Sequence, residues 1–166
     1  MRAMPNRWKP NVTVAAIIER DGRFLLVEED TADGPRLNNP AGHLDQRQSP
    51  IEARVRQVLE ETAHDFAPAA LVGVYLNRFT RTRTGHDITY LRFAFSGTVG
   101  THHEWRALDE GIVRTVWMTL DELHASAARH RSPLVLQCIQ DYLAGQRAPL
   151  ALIHTDASVL QATAAL

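Results

Sequence analysis

Seven consecutive residues near the start of the chain, Val12-Thr-Val-Ala-Ala-Ile-Ile18, are small or β-branched and almost wholly apolar at odd and even positions alike. Side chains of a strand point alternately to its two faces, so a strand apolar on both belongs in a sheet covered from both sides. Asp21-Gly22 then turns the chain into Phe24-Leu-Leu-Val27, which predicts a β-hairpin entering that sheet. The remaining sequence must supply both covering layers. With 166 residues, 45% hydrophobic and 22% charged, it has the material for one packed core and is too apolar for wholesale disorder.

Those layers are legible. Ser49-Pro50-Ile51-Glu52 places an N-cap serine, a proline at the first helical position and a glutamate at N3, which predicts a capping box and a helix from there to about Ala63. Ile51, Val55, Val58 and Leu59 form its expected apolar stripe, leaving Glu52, Arg56, Gln57, Glu60 and Glu61 on other faces. Residues 71–79 and 88–99 are rich in Val, Tyr, Phe and Leu, and predict a second antiparallel pair around the polar Arg81-Thr-Arg-Thr-Gly85. Residues 111–118 predict another strand, Thr119-Leu-Asp-Glu122 caps a short helix, and Ser132-Pro133 starts a longer one that Gly145 can end. Residues 30–40, rich in Asp, Gly, Asn and Pro, read as a loop, and residues 154–166 as a loose tail. Hairpins mixed with helices, without regular strand–helix alternation, predict an α+β fold: an α/β/α sandwich around a mixed sheet.

Charge and cysteine content narrow the function. Eighteen Lys+Arg against nineteen Asp+Glu give a net charge of −1, which leaves no overall field for a nucleic-acid polymer or an acidic membrane. Lys9 is the sole lysine, so the positive charge is nearly all arginine, the side chain suited to forked contact with phosphate. A lone cysteine, Cys138, forms no internal disulfide, and residues 1–10 lack the apolar run of a secretory signal, so a cytoplasmic protein is expected. The longest aliphatic stretch falls far short of the ~20 residues of a membrane helix.

The chemistry concentrates in the helix. Glu60 and Glu61 near its end, with Glu52 two turns earlier and a Gly-containing loop before it, offer hard oxygen donors to a divalent cation such as Mg²⁺, which takes only one or two protein carboxylates. The same acids, with Arg56 at four residues from both Glu52 and Glu60, also fit an ordinary surface charge ladder.

Longer spacing bears on that choice. Gly42-His-Leu-Asp-Gln-Arg-Gln48, seven further residues, then Arg56-Gln57-Val58-Leu59-Glu60-Glu61-Thr62-Ala63-His64, fall in the register of the Nudix box: Gly, five residues, Glu, seven residues, Arg-Glu-aliphatic-any-Glu-Glu-any-Gly-aliphatic. The chain resembles a Nudix hydrolase. Trp8-Lys-Pro-Asn-Val-Thr-Val-Ala15, Pro40-Ala-Gly-His-Leu44, Leu91-Arg-Phe93, Arg131-Ser-Pro-Leu-Val135 and Gly145-Gln-Arg147 extend the resemblance, over residues 8–153, to the phosphatase NudJ-like branch. The resemblance implies one domain over 8–153, Mg²⁺ or Mn²⁺ as cofactor, and a loop–helix–loop site. It also implies hydrolysis of phosphoanhydride bonds in nucleoside di- and triphosphates or in a pyrimidine diphosphate precursor of thiamine. The expected partner is thus a small nucleotide or diphosphate, acted on by a monomer or homodimer. Carried over residue by residue, Gly42, Glu60 and Glu61 would hold metal, Arg56 would orient the acids, and Glu60 and position 57 would serve catalysis.

Three positions depart from the box: Gln48 and Gln57 replace glutamates and Ala63 replaces glycine. Ala63 is comfortable only at negative φ, so an altered turn is expected there. Gln48 stands at a position that helps hold the box together. Gln57 stands where the family glutamate binds metal and in some members acts as base, and an amide accepts no proton near neutrality. Glu110 or Asp109, in the loop before the strand over 111–118, would then supply the carboxylate, with Asp45 a further candidate; both loop acids also fit a plain exposed acidic loop. His43, Arg78 and Arg92 are the candidate substrate contacts, with Arg81, Arg83, His86 and Tyr90 nearby on the second hairpin. Two functions stay open: a hydrolase with reduced activity, or a Nudix domain that binds a diphosphate without cleaving it.

Overall fold

In the computed structural model, which describes residues 5–162, β1 (Asn11–Arg20) and β2 (Arg23–Thr31) form the expected hairpin. Asp21 and Gly22 sit at φ 52° and 75°, the left-handed pair that a two-residue turn between twisted strands requires. β3 (Gly34–Asn38) and the short β4 (Ala41–His43) follow, and then α1 (Pro50–Thr62). The long pair β5 (His64–Thr80) and β6 (Asp87–His102) comes next, then β7 (Ile112–Thr119), α2 (Leu120–Ala125) and α3 (Leu134–Leu143). One turn of helix, α4 (Ala157–Leu160), lies within the segment expected to be a loose tail, and it is exposed throughout.

The sheet runs β3-β2-β1-β6-β5, with β4 also paired to β1 and β7 to β2. β1 and β6 are parallel and the other pairs antiparallel, so the sheet is mixed. Both faces of β1 are covered, as its composition demands. Ala15 and Ile17 pack with Leu123 of α2 and with Val135, Cys138 and Ile139 of α3. Val14, Ala16 and Ile18 face the other way, toward Ala53 and Val58 of α1. This is the expected sandwich. Among the described residues no helix is long and apolar enough to cross a membrane.

Three local expectations are corrected. Residues 30–40 are not a loop: β2 continues to Thr31, and the chain turns at Ala32-Asp33 into β3, which pairs back along β2 from Thr31↔Gly34 to Val27↔Asn38. Turn residues and an outer strand share the polar composition that suggested a loop. Of the box at the start of α1, Ser49 Oγ accepts from the Glu52 amide at 3.1 Å, but no return bond from the Glu52 side chain forms; the full reciprocal box is found at Thr119 and Glu122 instead. The buried face of α1 is Ala53, Arg54, Gln57, Val58, Glu61 and Thr62, while Val55 is exposed. The helix is therefore rotated relative to the stripe read from its aliphatic residues.

Ala63 does not alter the turn. It ends α1 at φ 57°, ψ 24°, the left-handed cap that glycine adopts freely, with its amide donating to Leu59 O and its carbonyl accepting from His103 N. An L-residue there costs about 1–2 kcal/mol. Ala63→Gly should therefore raise the free energy of unfolding by up to about 1 kcal/mol after the extra chain entropy of glycine is counted. Denaturant unfolding checks this, and an unchanged or lower midpoint would contradict the strained cap.

Candidate active site

Backbone pairing assembles the site from distant segments. Thr13 of β1 lies opposite His43 of β4 on one side and Arg92 of β6 on the other, so the β4 loop and the end of β6 meet across β1. α1 then docks its inner, polar face against β4. Gln57 Nε2 donates to His43 O at 2.6 Å, and Glu61 Oε2 accepts from the Ala41 amide at 3.0 Å. Gly42 lets the Gln57 amide pack directly on the β4 backbone: a Cβ there would meet that amide at 2.8 Å and push the Gln57 side chain out of its bond to His43 O.

At the mouth of this junction Arg56 donates to Glu60 Oε2 at 2.7 Å, to Asp45 Oδ2 at 3.1 Å and to Gln48 Oε1 at 3.1 Å. Arg56 thus bonds Glu60 but not Glu61, and Gln48 joins the network as a neutral acceptor. Asp109 is brought in by its amide, which donates to Glu60 O at 3.0 Å. Partial burial, then the Glu60 charge, raise the Asp109 carboxyl above its ordinary range. Asp109 and Glu110 are both exposed, and neither side chain makes a hydrogen bond or ion pair among the described residues; of the two, Asp109 is the one whose backbone is bonded to Glu60 and whose carboxyl feels the Glu60 charge.

The donor set suits one hard cation. Glu60 and Glu61 supply carboxylates, and Gln57 Oε1 is a buried acceptor with no hydrogen-bond partner among the described residues, a neutral oxygen facing the junction. No group of three His, Cys, Asp or Glu gathers there or elsewhere among the described residues. Any ion held here would thus complete its shell with ligand and water oxygens.

Beside the junction lies a cavity of about 230 Å³, whose lining includes Glu29, Asn38, His43, Phe79, Tyr90 and Arg92. Tyr90 stacks on Phe79 at 5.7 Å between ring centroids and leans on His43 at 5.8 Å. Arg92 is buried and donates to Asn39 Oδ1 at 3.0 Å and Asn38 Oδ1 at 3.2 Å; Glu29 accepts from Asn38 and from Arg131. Of the three candidate substrate contacts, His43 and Arg92 line this cavity and Arg78 does not. Strand alternation turns Asn77 and Phe79 into the cavity and Arg78 outward, where it pairs with Asp87 at 2.7 Å. Arg81 and Arg83 line a larger depression that adjoins this cavity, sharing Phe79 and Arg131 with it, and His86 lies in the exposed tip of the same hairpin.

Sequence reasoning missed Asn38, Asn39 and Glu29, hidden in the supposed loop and hairpin, and above all Arg54. The last was findable, since 54, 57, 58 and 61 repeat at helical spacing and define the inner face that the aliphatic residues alone misplace. Burial raises the Glu61 carboxyl to about 7 despite the attraction of Arg54, the desolvation cost outweighing an ion pair 3.8 Å long. An acid whose pKa is higher folded than unfolded stabilises the fold fully at low pH and loses that contribution as pH rises through the folded value. Metal-free protein should therefore lose on the order of 2 kcal/mol between about pH 4.5 and 7 on account of Glu61. Glu61→Gln should flatten that part of the stability–pH curve in urea melts; a variant with the same slope would contradict the assignment.

Comparison with known proteins agrees with this architecture. The family model described as NUDIX domain matches residues 8–138. Phosphatase NudJ of Escherichia coli (strain K12) is 35% identical over 147 residues, 88% of this chain and 92% of that protein. A NUDIX hydrolase from Nitrosomonas europaea superposes with a TM-score of 0.82 at 51% identity, covering 89% of this chain and 98% of that one. A MutT NUDIX hydrolase from Burkholderia pseudomallei, 19% identical with a TM-score of 0.66 over 81% and 98% of the two chains, shares the fold alone. By sequence over most of its length and by strand order, this chain belongs to the Nudix hydrolases.

Proposed function

We propose that the domain over residues 8–153 is a cytoplasmic, Mg²⁺- or Mn²⁺-dependent hydrolase. Its substrates would be nucleoside di- or triphosphates, or an aminopyrimidine diphosphate of the thiamine-precursor kind, cleaved at a phosphoanhydride bond with reduced turnover. The observation that carries this reading is that α1 holds Glu61 and Gln57, whose Oε1 has no partner among the described residues, against β4, with Glu60 and Arg56 bonded to each other at the mouth and Gly42 and His43 of β4 lining an aromatic-walled cavity.

Glu60, Glu61 and the Gly42 and Gln57 oxygens would hold the cation. When bound, it neutralises the diphosphate and lowers the pKa of attacking water. The chain's own residues do the rest. Arg56 holds Glu60 by a charge-assisted bond, and Glu61 is fixed by the Ala41 amide. Phe79, Tyr90 and His43 offer faces for a flat heterocycle, while Glu29 and Asn38 offer hydrogen bonds to its edge. Arg92, buried behind them, supplies positive charge toward the phosphates. Gln57 is tied to His43 O and takes no proton, so proton acceptance falls to the loop acids, Asp109 ahead of Glu110 because the Asp109 amide is bonded to Glu60 O and its carboxyl is raised by desolvation and then by the Glu60 charge.

The same Gln57 bond favours one second reading, a domain that binds a diphosphate and does not cleave it. Phosphate release from a panel of nucleoside diphosphates, triphosphates and the aminopyrimidine diphosphate with Mg²⁺ or Mn²⁺ separates the two. We expect slow release, lowered a further 10²-fold or so by Asp109→Asn and raised about tenfold or more by Gln57→Glu. Binding with no release until Gln57→Glu is introduced would establish the second reading, and release unaffected by Glu60→Gln would overturn the first. Tyr90→Ala should raise KM about tenfold while kcat changes less; an unchanged KM would remove the cavity from substrate recognition.

A further inference from the structure

The inner face of α1 carries a charge that the Nudix box pattern does not include. Arg54 lies three residues before Gln57 and seven before Glu61, on the same face. It is the largest wholly buried side chain among the described residues, at 0% exposure. Nη1 donates to Val14 O at 2.6 Å and to Pro40 O at 2.7 Å, which ties the guanidinium to β1 and to the residue entering β4. Nη2 approaches Glu61 Oε1 at 3.8 Å, within ion-pair range but too long for a hydrogen bond. Neither Nε nor Nη2 finds an acceptor among the described residues. Burial lowers the guanidinium to about 10, so it remains cationic at neutral pH.

Where the box has a glutamate at position 57 this face has a neutral glutamine, and at position 54, which the box leaves unspecified, it carries a buried positive charge facing Glu61. A buried positive charge can be tolerated where a carboxylate needs compensation, and it repels any other cation that the carboxylate might bind. Arg56, by contrast, sits at the mouth and pairs with Glu60 through Oε2 alone, where both side chains stay partly exposed.

We propose that Arg54 is a positioning residue that serves Glu61 as a resident counter-cation, holding this carboxylate against β4 and keeping divalent-cation affinity at the site low. The inference rests on the reading that Glu60 and Glu61 bind such a cation. Arg54 itself touches no substrate; it acts through Glu61.

Calorimetric titration of the full chain with Mn²⁺ alone, near neutral pH, tests it. Arg54→Met keeps the bulk of the stem and removes the charge, and it should bind Mn²⁺ at least about tenfold tighter than the unmodified protein. Arg54→Lys keeps the charge and should stay within about threefold of the unmodified protein. Should Arg54→Met fail to fold because Glu61 is left uncompensated, Arg54→Gln takes its place: it removes the charge, keeps an amide donor for Val14 O or Pro40 O, leaves Glu61 intact, and must likewise bind Mn²⁺ tighter than the unmodified protein. Mn²⁺ binding that is equal or weaker without the Arg54 charge overturns the inference and leaves the cation reading intact. No Mn²⁺ binding in the unmodified protein or in any charge-removed variant overturns both.

Discussion

The site depends on how the polar inner face of α1 is bonded to the backbone of β1 and β4. Gln57 reaches His43 O, Glu61 receives the Ala41 amide, and Arg54 reaches Val14 O and Pro40 O. Four backbone groups in and around the shortest strand thereby bond to side chains of a single helix, Pro40 O in addition to the bond it accepts from the Ala16 amide. Because β4 is only three residues long, this set of bonds holds Gly42 close to the acids at the helix end. Its register with Thr13 and Arg92 then brings the aromatic cavity alongside.

The arrangement separates two kinds of carboxylate on adjacent residues. Glu60 faces the mouth, is partly exposed and belongs to a network with Arg56, Asp45 and Gln48, where ions are easily solvated. Glu61 faces inward, where burial opposes its charge and a buried arginine partly offsets that cost. One helical step thus changes the medium as well as the direction. Any cation held between them would draw on an acid that is ready and on one that is already partly compensated.

Much of this was legible in the sequence, and the failures have common causes. β1 announced a sheet covered on two sides, because apolarity at both parities has few other outcomes. Ser49-Pro50 and Thr119-Glu122 located helix starts, because capping is local chemistry. The spacing from Gly42 to Glu61 carried the site, since it fixes how far the helix end lies from the loop. The rotation of α1 was misread because hydrophobicity was used as a proxy for burial: Arg54, Gln57 and Glu61 are inside for hydrogen bonding, and Val55 is outside. β3 was missed because a short outer strand carries Pro and Arg as loops do. Arg78 was read as a substrate contact because a hairpin read without its register does not say which parity faces inward. Ala63 kept a glycine conformation because the helix end and the His103 contact outweigh a local penalty.

Anomalous diffraction at the manganese edge, from crystals grown with Mn²⁺ and a non-hydrolysable nucleoside diphosphate analogue, addresses the central claim most directly. The account predicts an anomalous peak within coordination distance of a Glu60 or Glu61 oxygen, bridging to the analogue's phosphates. Phosphates bound there with manganese located elsewhere, or Glu60 and Glu61 both bonded only to protein groups and solvent in the loaded crystal, would contradict it.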